Sequence, residues 1–195
     1  MKATDLLKKQ HKEVRDLFKK IEKSKDDATK SELFEELAAN LVAHDGIERQ
    51  IFYPACEEAM GMTDILGESL VEHGVVEFML YQADQAQGED DFEYKCTVLQ
   101  EMVEHHVEEE EKEFFPKVER ALGKERLEEI GMEMEEAFEE LKEEDFRTPL
   151  HANLQQVIAG AIKPAPTRRA SSSSRKKAPS RKSSPAPKRN MRKSA

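Results

Sequence analysis

Four histidines, His11, His44, His73 and His106, recur at intervals of 33, 29 and 33 residues. Three are followed four positions later by a glutamate: Glu48, Glu77 and Glu110. The arrangement is an internal repeat at an offset of 62, which carries His11 onto His73, His44 onto His106 and Glu48 onto Glu110. Its flanks follow, because Phe52-Tyr53-Pro54 falls on Phe114-Phe115-Pro116. Residues four apart on an α-helix lie one turn apart on one face, so each His-x-x-x-Glu pair aims an imidazole and a carboxylate at one point. Such donors are tolerated in a helical interior only when paired or coordinating. A duplicated helix pair converging on a metal site meets that demand.

Apolar periodicity puts these residues in the core. The stripes read Leu7, His11, Val14, Phe18; Leu37, Leu41, His44, Glu48, Ile51; Leu66, Leu70, His73, Glu77, Leu80; and Leu99, Val103, His106, Glu110, Phe114. The first helix is expected from a Thr4-Asp5 cap to about Ser24, and the second from Thr29 or Ser31. Gly61-Met62-Thr63-Asp64 ends the second and caps the third, which Gly88 closes. A fourth helix is expected from about Asp90 to Leu122, a fifth from Lys124 to Leu141, and a short sixth from Thr148-Pro149. Pro54 and Pro116 sit late in their helices and are expected to kink or locally open them. Short connections between long helices predict an all-α, up-down-up-down four-helix bundle with an additional C-terminal helix and a disordered basic tail.

The net charge of −10 conceals two opposite segments. Of 31 Lys and Arg, 12 lie in residues 163–195 with no acid; the first 162 residues keep 19 against 41 acids, a net of −22. The tail is rich in Ser, Ala and Pro and is expected to be disordered. Its cations could give weak, nonspecific nucleic-acid binding by counterion release. Cys56 and Cys96 make no disulfide framework and read as reduced residues of a cytoplasmic protein. No apolar run reaches the ~20 residues of a membrane span. The expected domains are a metal-binding bundle over 1–145, a short helical extension over 146–162 and the tail over 163–195.

Ligand type narrows the metal. Thiolates are absent from the stripes, which argues against a cysteine-type zinc site. Calcium and magnesium prefer all-oxygen shells. Imidazoles with carboxylates able to bridge suit iron, ahead of manganese or zinc. His105 also precedes a glutamate by four, but the repeat aligns it with Ala43, so His106 is the expected ligand and His105 a flanking residue. His151 reads as a surface residue, and Glu108 and Glu111 as members of a solvated face.

His11, His44-x-x-x-Glu48, His73-x-x-x-Glu77 and His106-x-x-x-Glu110, with the Phe-Tyr-Pro and Phe-Phe-Pro flanks, resemble the haemerythrin-like HHE cation-binding family over roughly residues 1 to 145. The resemblance implies a four-helix bundle holding two non-haem iron ions with an oxo or hydroxo bridge. By position, His11 and His44 would bind one iron, His73, Glu77 and His106 the other, and Glu48 and Glu110 would bridge them. The oxygen-carrying haemerythrins have histidine where Glu77 stands, and their bridging aspartate lies one residue further from its histidine than Glu110 does. Counting donors leaves one open position, at the His11/His44 iron. Arg15 occupies the repeat position of Glu77. The expected function is binding or sensing of oxygen, nitric oxide, peroxide or iron. The alternatives are a di-iron enzyme consuming peroxide or another small oxidant, or a DNA-tethered iron-binding protein acting through its tail.

Overall fold

A computed structural model of the chain describes residues 1–159. The tail expected over 163–195 and the end of the 146–162 extension lie outside the described residues. Seven α-helices are arranged as α1 (Ala3–Lys23), α2 (Asp27–Ile47), α3 (Tyr53–Met60), α4 (Asp64–Asp84), α5 (Phe92–Glu109), α6 (Phe115–Lys142) and α7 (Arg147–Ile158), with no strand among the described residues. Helix α1 packs on α2 and α4 on α5, the two pairs related by the sequence repeat. Helix α6 lies across α1 and α2, and α7 lies on α4. Among the described residues no helix is long and apolar enough to cross a membrane.

Two helix starts differ from expectation. Asp26 caps α2, its carboxylate accepting from the Thr29 amide at 2.8 Å and the Thr29 hydroxyl at 2.6 Å, so the helix opens at Asp27, upstream of Thr29. Thr4 does not cap α1; it lies inside the helix and donates its hydroxyl to Glu119 Oε1 at 2.7 Å. The break expected before Lys124 is Gly123, whose φ of 72° interrupts α6.

Both prolines accompany a local opening of the helix. Each lies just after a π-helical turn, Glu48–Phe52 between α2 and α3 and Glu110–Phe114 between α5 and α6. Proline lacks an N–H and its ring collides with the carbonyl four residues back. A wider turn, bonded five residues back, relieves both.

The buried side chains form two apolar clusters on either side of a polar layer. One contains Val14, Phe18, Phe34, Leu37, Leu80, Leu99 and Val103. The other contains Leu7, Ile47, Phe52, Phe114, Phe115, Leu127 and Ile130. Between them His11, His44, Glu48, His73, Glu77, His106 and Glu110 are all buried. The second half of α6 closes one end, with Gly131 against the start of α1. A Cβ at Gly131 would stand 2.3 Å from the Met1 carbonyl oxygen, so no larger residue fits without moving backbone. Cys56 and Cys96 are buried in opposite clusters, and burial pushes both thiols up, Cys96 to about 12.

Candidate metal centre

The four imidazoles enter from four helices: His11 from α1, His44 from α2, His73 from α4 and His106 from α5. Each Nδ1 has an oxygen partner. His44 Nδ1 lies 2.8 Å from Gln10 Oε1 and His106 Nδ1 2.9 Å from Glu72 Oε2. His11 Nδ1 lies 2.9 Å from Glu111 Oε1, and His73 Nδ1 is held by Asp45 Oδ1. Every ring is therefore anchored on its outer nitrogen and offers Nε2 inward, the habit of metal-binding histidines.

Two overlapping groups of donors result. His11, His44, Glu48 and Glu110 form the first, and Glu48, His73 and His106 the second. Glu48 belongs to both. In the first, His44 Nε2 lies 3.2 Å from Glu48 Oε2 and His11 Nε2 lies 3.3 Å from Glu110 Oε2. In the second, His73 Nε2 lies 3.0 Å from His106 Nε2 and 3.3 Å from Glu48 Oε2.

The protein atoms alone leave this interior unsatisfied. His11 Nε2, Glu48 Oε1 and Glu110 Oε2 are buried without a hydrogen-bond partner among the described residues. An orphaned buried polar atom costs about 1–3 kcal/mol, and three beside one another are tolerated when a cation completes them. The donor set fits a metal pair.

Tyr53 is the site residue that sequence spacing missed. Its hydroxyl oxygen lies 2.9 Å from His73 Nε2, 3.1 Å from Glu110 Oε1 and 3.4 Å from Glu48 Oε2. Burial and the charges of Glu110 and Glu48 hold its pKa well above the ordinary phenol value. The repeat puts Phe115 at the equivalent place, where the ring stacks on His11 with centroids 5.9 Å apart. The phenol is thus confined to the His73/His106 half.

Glu77 is buried beside His73 but falls in neither donor group. Its carboxylate takes Asn153 Nδ2 at 2.6 Å and Arg49 Nη2 at 3.3 Å. Burial and the Asp45 charge push Glu77 up to about 7, against the pull of Arg49 and Asn153. The repeat explains the pairing. The positions of Arg49 and Glu77 correspond to those of Glu111 and Arg15, which form the mirror pair at 3.3 Å with the charges exchanged. Glu111 consequently belongs to the site and not to a solvated face, while Glu108 is exposed beside Lys112. His105 is exposed and pairs with Glu72 and Glu109, and His151 is exposed on α7 against Tyr81.

The remaining partners left only a faint trace in the sequence. Gln10 and Glu72 are repeat equivalents, each preceding a site histidine, but differ in type. Asp45 has Val107 as its counterpart, so no comparison of the two halves reveals it.

A cavity of about 40 Å³ is lined by all four imidazoles and roofed by Val14, Leu41, Val76, Leu80, Val103 and Val107. Asp45 and Glu77 stand on its wall. Its size suits one or two water-sized molecules.

Protonation of the rings works against a cation. Burial lowers the His11 pKa, but Glu110 and Glu111 outweigh it and raise it to about 9. His73 rises to about 10, with Asp45 and Glu48 overcoming burial. Burial would raise Glu48, yet His44 and His73 hold it well below the carboxylate range. Both imidazoles hold protons more tightly folded than unfolded. Their contribution to metal-free stability is complete below ~6.5 and is lost as pH climbs through about 9 and about 10. The melting temperature of metal-free protein is expected to fall across that window, and a flat profile would contradict it.

The family model for the haemerythrin HHE cation-binding domain matches residues 2–118. The chain belongs to the haemerythrin HHE cation-binding family. The match spans α1 to the start of α6 and includes all seven sequence-predicted donors. The fold is shared with the crystal structure of a haemerythrin HHE cation-binding domain-containing protein from Mycobacterium kansasii. That chain is 24% identical, with a TM-score of 0.65 over 83% of this chain and 97% of its own. No curated protein sequence matches. The cation-binding domain and its buried His/Glu groups make metal binding the property of this site.

Proposed function

We propose that this HHE domain holds two non-haem iron ions and binds a small oxidant or diatomic ligand, such as oxygen, nitric oxide or peroxide, in the cavity over its imidazoles. The observation that carries the reading is the set of four histidines, each tied at Nδ1 and offering Nε2 to buried carboxylates that lack partners. His11, His44 and Glu110 would hold one ion, His73 and His106 the other, and Glu48 would be shared. Tyr53 is the proposed further donor in the His73/His106 half, supported by its 2.9 Å approach to His73 Nε2.

Iron would supply redox chemistry and a position open to a small ligand. The chain's own groups do the rest. Gln10, Asp45, Glu72 and Glu111 fix the tautomer and direction of the four rings. The valine and leucine roof excludes water and bulk, leaving room for about two heavy atoms. With Tyr53 as a donor in the His73/His106 half, the position open to a ligand would fall on the His11/His44 side, where Phe115 offers no donor. Carboxylates and a phenolate are hard donors, which favours the ferric state.

Azide is the probe that tests this. Iron-loaded protein is expected to change its visible spectrum on adding azide, and His11→Ala to lose that response. Tyr53→Phe is expected to keep the azide response while losing a phenolate-to-iron band. An azide response that survives in His11→Ala would overturn the assignment of the open side.

A further inference from the structure

Asn153 lies on α7, beyond the residues matched by the family, yet its amide reaches the metal centre. It donates to Glu77 Oε1 at 2.6 Å and lies 3.5 Å from Asp45 Oδ2. Arg49 completes the network, with Nη2 at 3.3 Å from Glu77 Oε2 and Nε donating to Asp45 Oδ1 at 2.6 Å. Asp45 in turn holds His73.

Glu77 follows His73 by one turn of α4, so the two side chains leave the same face of the helix. Both line the cavity with His106. A carboxylate at that place is a natural donor to a cation beside His73, but the one here is drawn to Arg49 and Asn153. The hydroxyl of Tyr53 stands at His73 instead.

The repeat isolates this competition to one half. Where the His73/His106 side of the centre has Glu77 and Tyr53, the His11/His44 side has their repeat counterparts Arg15 and Phe115. Neither Arg15 nor Phe115 can donate to a metal, so the His11/His44 half has no rival donors and needs no restraint. The half with two rivals is the half that α7 reaches.

We propose that Asn153 is a positioning residue that, with Arg49, withholds Glu77 from the metal centre and so leaves the donor position beside His73 and His106 to Tyr53. The inference rests on the reading of Tyr53 given above. Loss of the amide would leave Glu77 held by Arg49 alone, at 3.3 Å through Oε2, and would free Oε1 to turn towards a cation beside His73. Helix α7 is held by other contacts: Arg147 bonds Glu35 and Asp84, and Leu150 and Leu154 are buried. Removing the Asn153 amide therefore does not by itself release the helix.

The test uses full-length protein loaded with ferrous iron and oxidised in air, read by visible absorption and by resonance Raman ring modes of a metal-bound phenolate. Wild-type protein is expected to give the phenolate band and Tyr53→Phe to lack it. Asn153→Ala is expected to lose more than half of the band at unchanged iron content. The double variant Asn153→Ala/Glu77→Gln is expected to regain it, because an uncharged amide no longer competes with the phenolate. A full band in Asn153→Ala would overturn the proposal. A band lost in Asn153→Ala and not regained in the double variant would overturn it too, marking a general loosening around α7. Identical spectra for wild type and Tyr53→Phe would instead sink the Tyr53 assignment beneath it.

Discussion

Protein loaded anaerobically with ferrous iron and then exposed to air is expected to retain about two metal ions per chain, and its Glu48→Ala variant about one or fewer. Glu48 is the one residue common to both donor groups, and His44 and His73 both approach its Oε2. Removing it takes an anionic donor from both halves. It also leaves four imidazoles facing one another with less negative charge to hold a divalent cation. Glu110→Ala should be milder, because Glu110 lies in the first group alone. Elemental analysis measures all three. His105→Ala is the control expected to keep full metal content, since His105 is exposed and pairs outward. A Glu48→Ala protein with undiminished metal would sink the shared-carboxylate reading.

Stripping the metal with a chelator should lower the melting temperature substantially. A ligand that binds only the folded state at a thousand times its Kd contributes about 4 kcal/mol. For a domain of this size that corresponds to roughly 10 °C. The physical source is the unsatisfied interior. Metal-free protein keeps His11 Nε2, Glu48 Oε1 and Glu110 Oε2 buried and unpartnered, and a bound cation satisfies them. Equal melting temperatures with and without metal would mean that the polar layer is satisfied by the protein itself.

The parts of the site legible in the sequence are those repeated in kind. His11, His44, His73, His106, Glu48 and Glu110 recur with type and spacing intact, and the structure brings all six together. The oxygen partners were hidden for a different reason. Holding an Nδ1–H needs only an acceptor at the right place, so Gln10 and Glu72 serve equally and no identity repeats. Glu111 has Arg49 as its counterpart, and Asp45 accepts from His73 in its stead. Glu77 has the spacing of a ligand, and spacing fixes only where a side chain starts. Its end is decided by Arg49 and Asn153, residues brought up by tertiary packing. Helix periodicity concealed Tyr53 as well, since it lies nine residues beyond His44 across a turn that is not α-helical.

Each π turn sets the phase of the helix beyond it. Upstream of residues 48–52 the chain delivers His44 and the start of a shared carboxylate; downstream it delivers Tyr53, on a surface displaced by one extra residue in the winding. Rewinding the same five residues as ordinary α-helix, with no change of length, would rotate everything from Tyr53 onward by roughly 90°. The hydroxyl would swing away from His73 while His44 stayed in place. The same holds for residues 110–114 and the Phe115 ring that lies on His11. At these two places substitution is a local matter of side-chain fit, whereas a change of winding turns the whole downstream face, as slipping one tooth turns a gear.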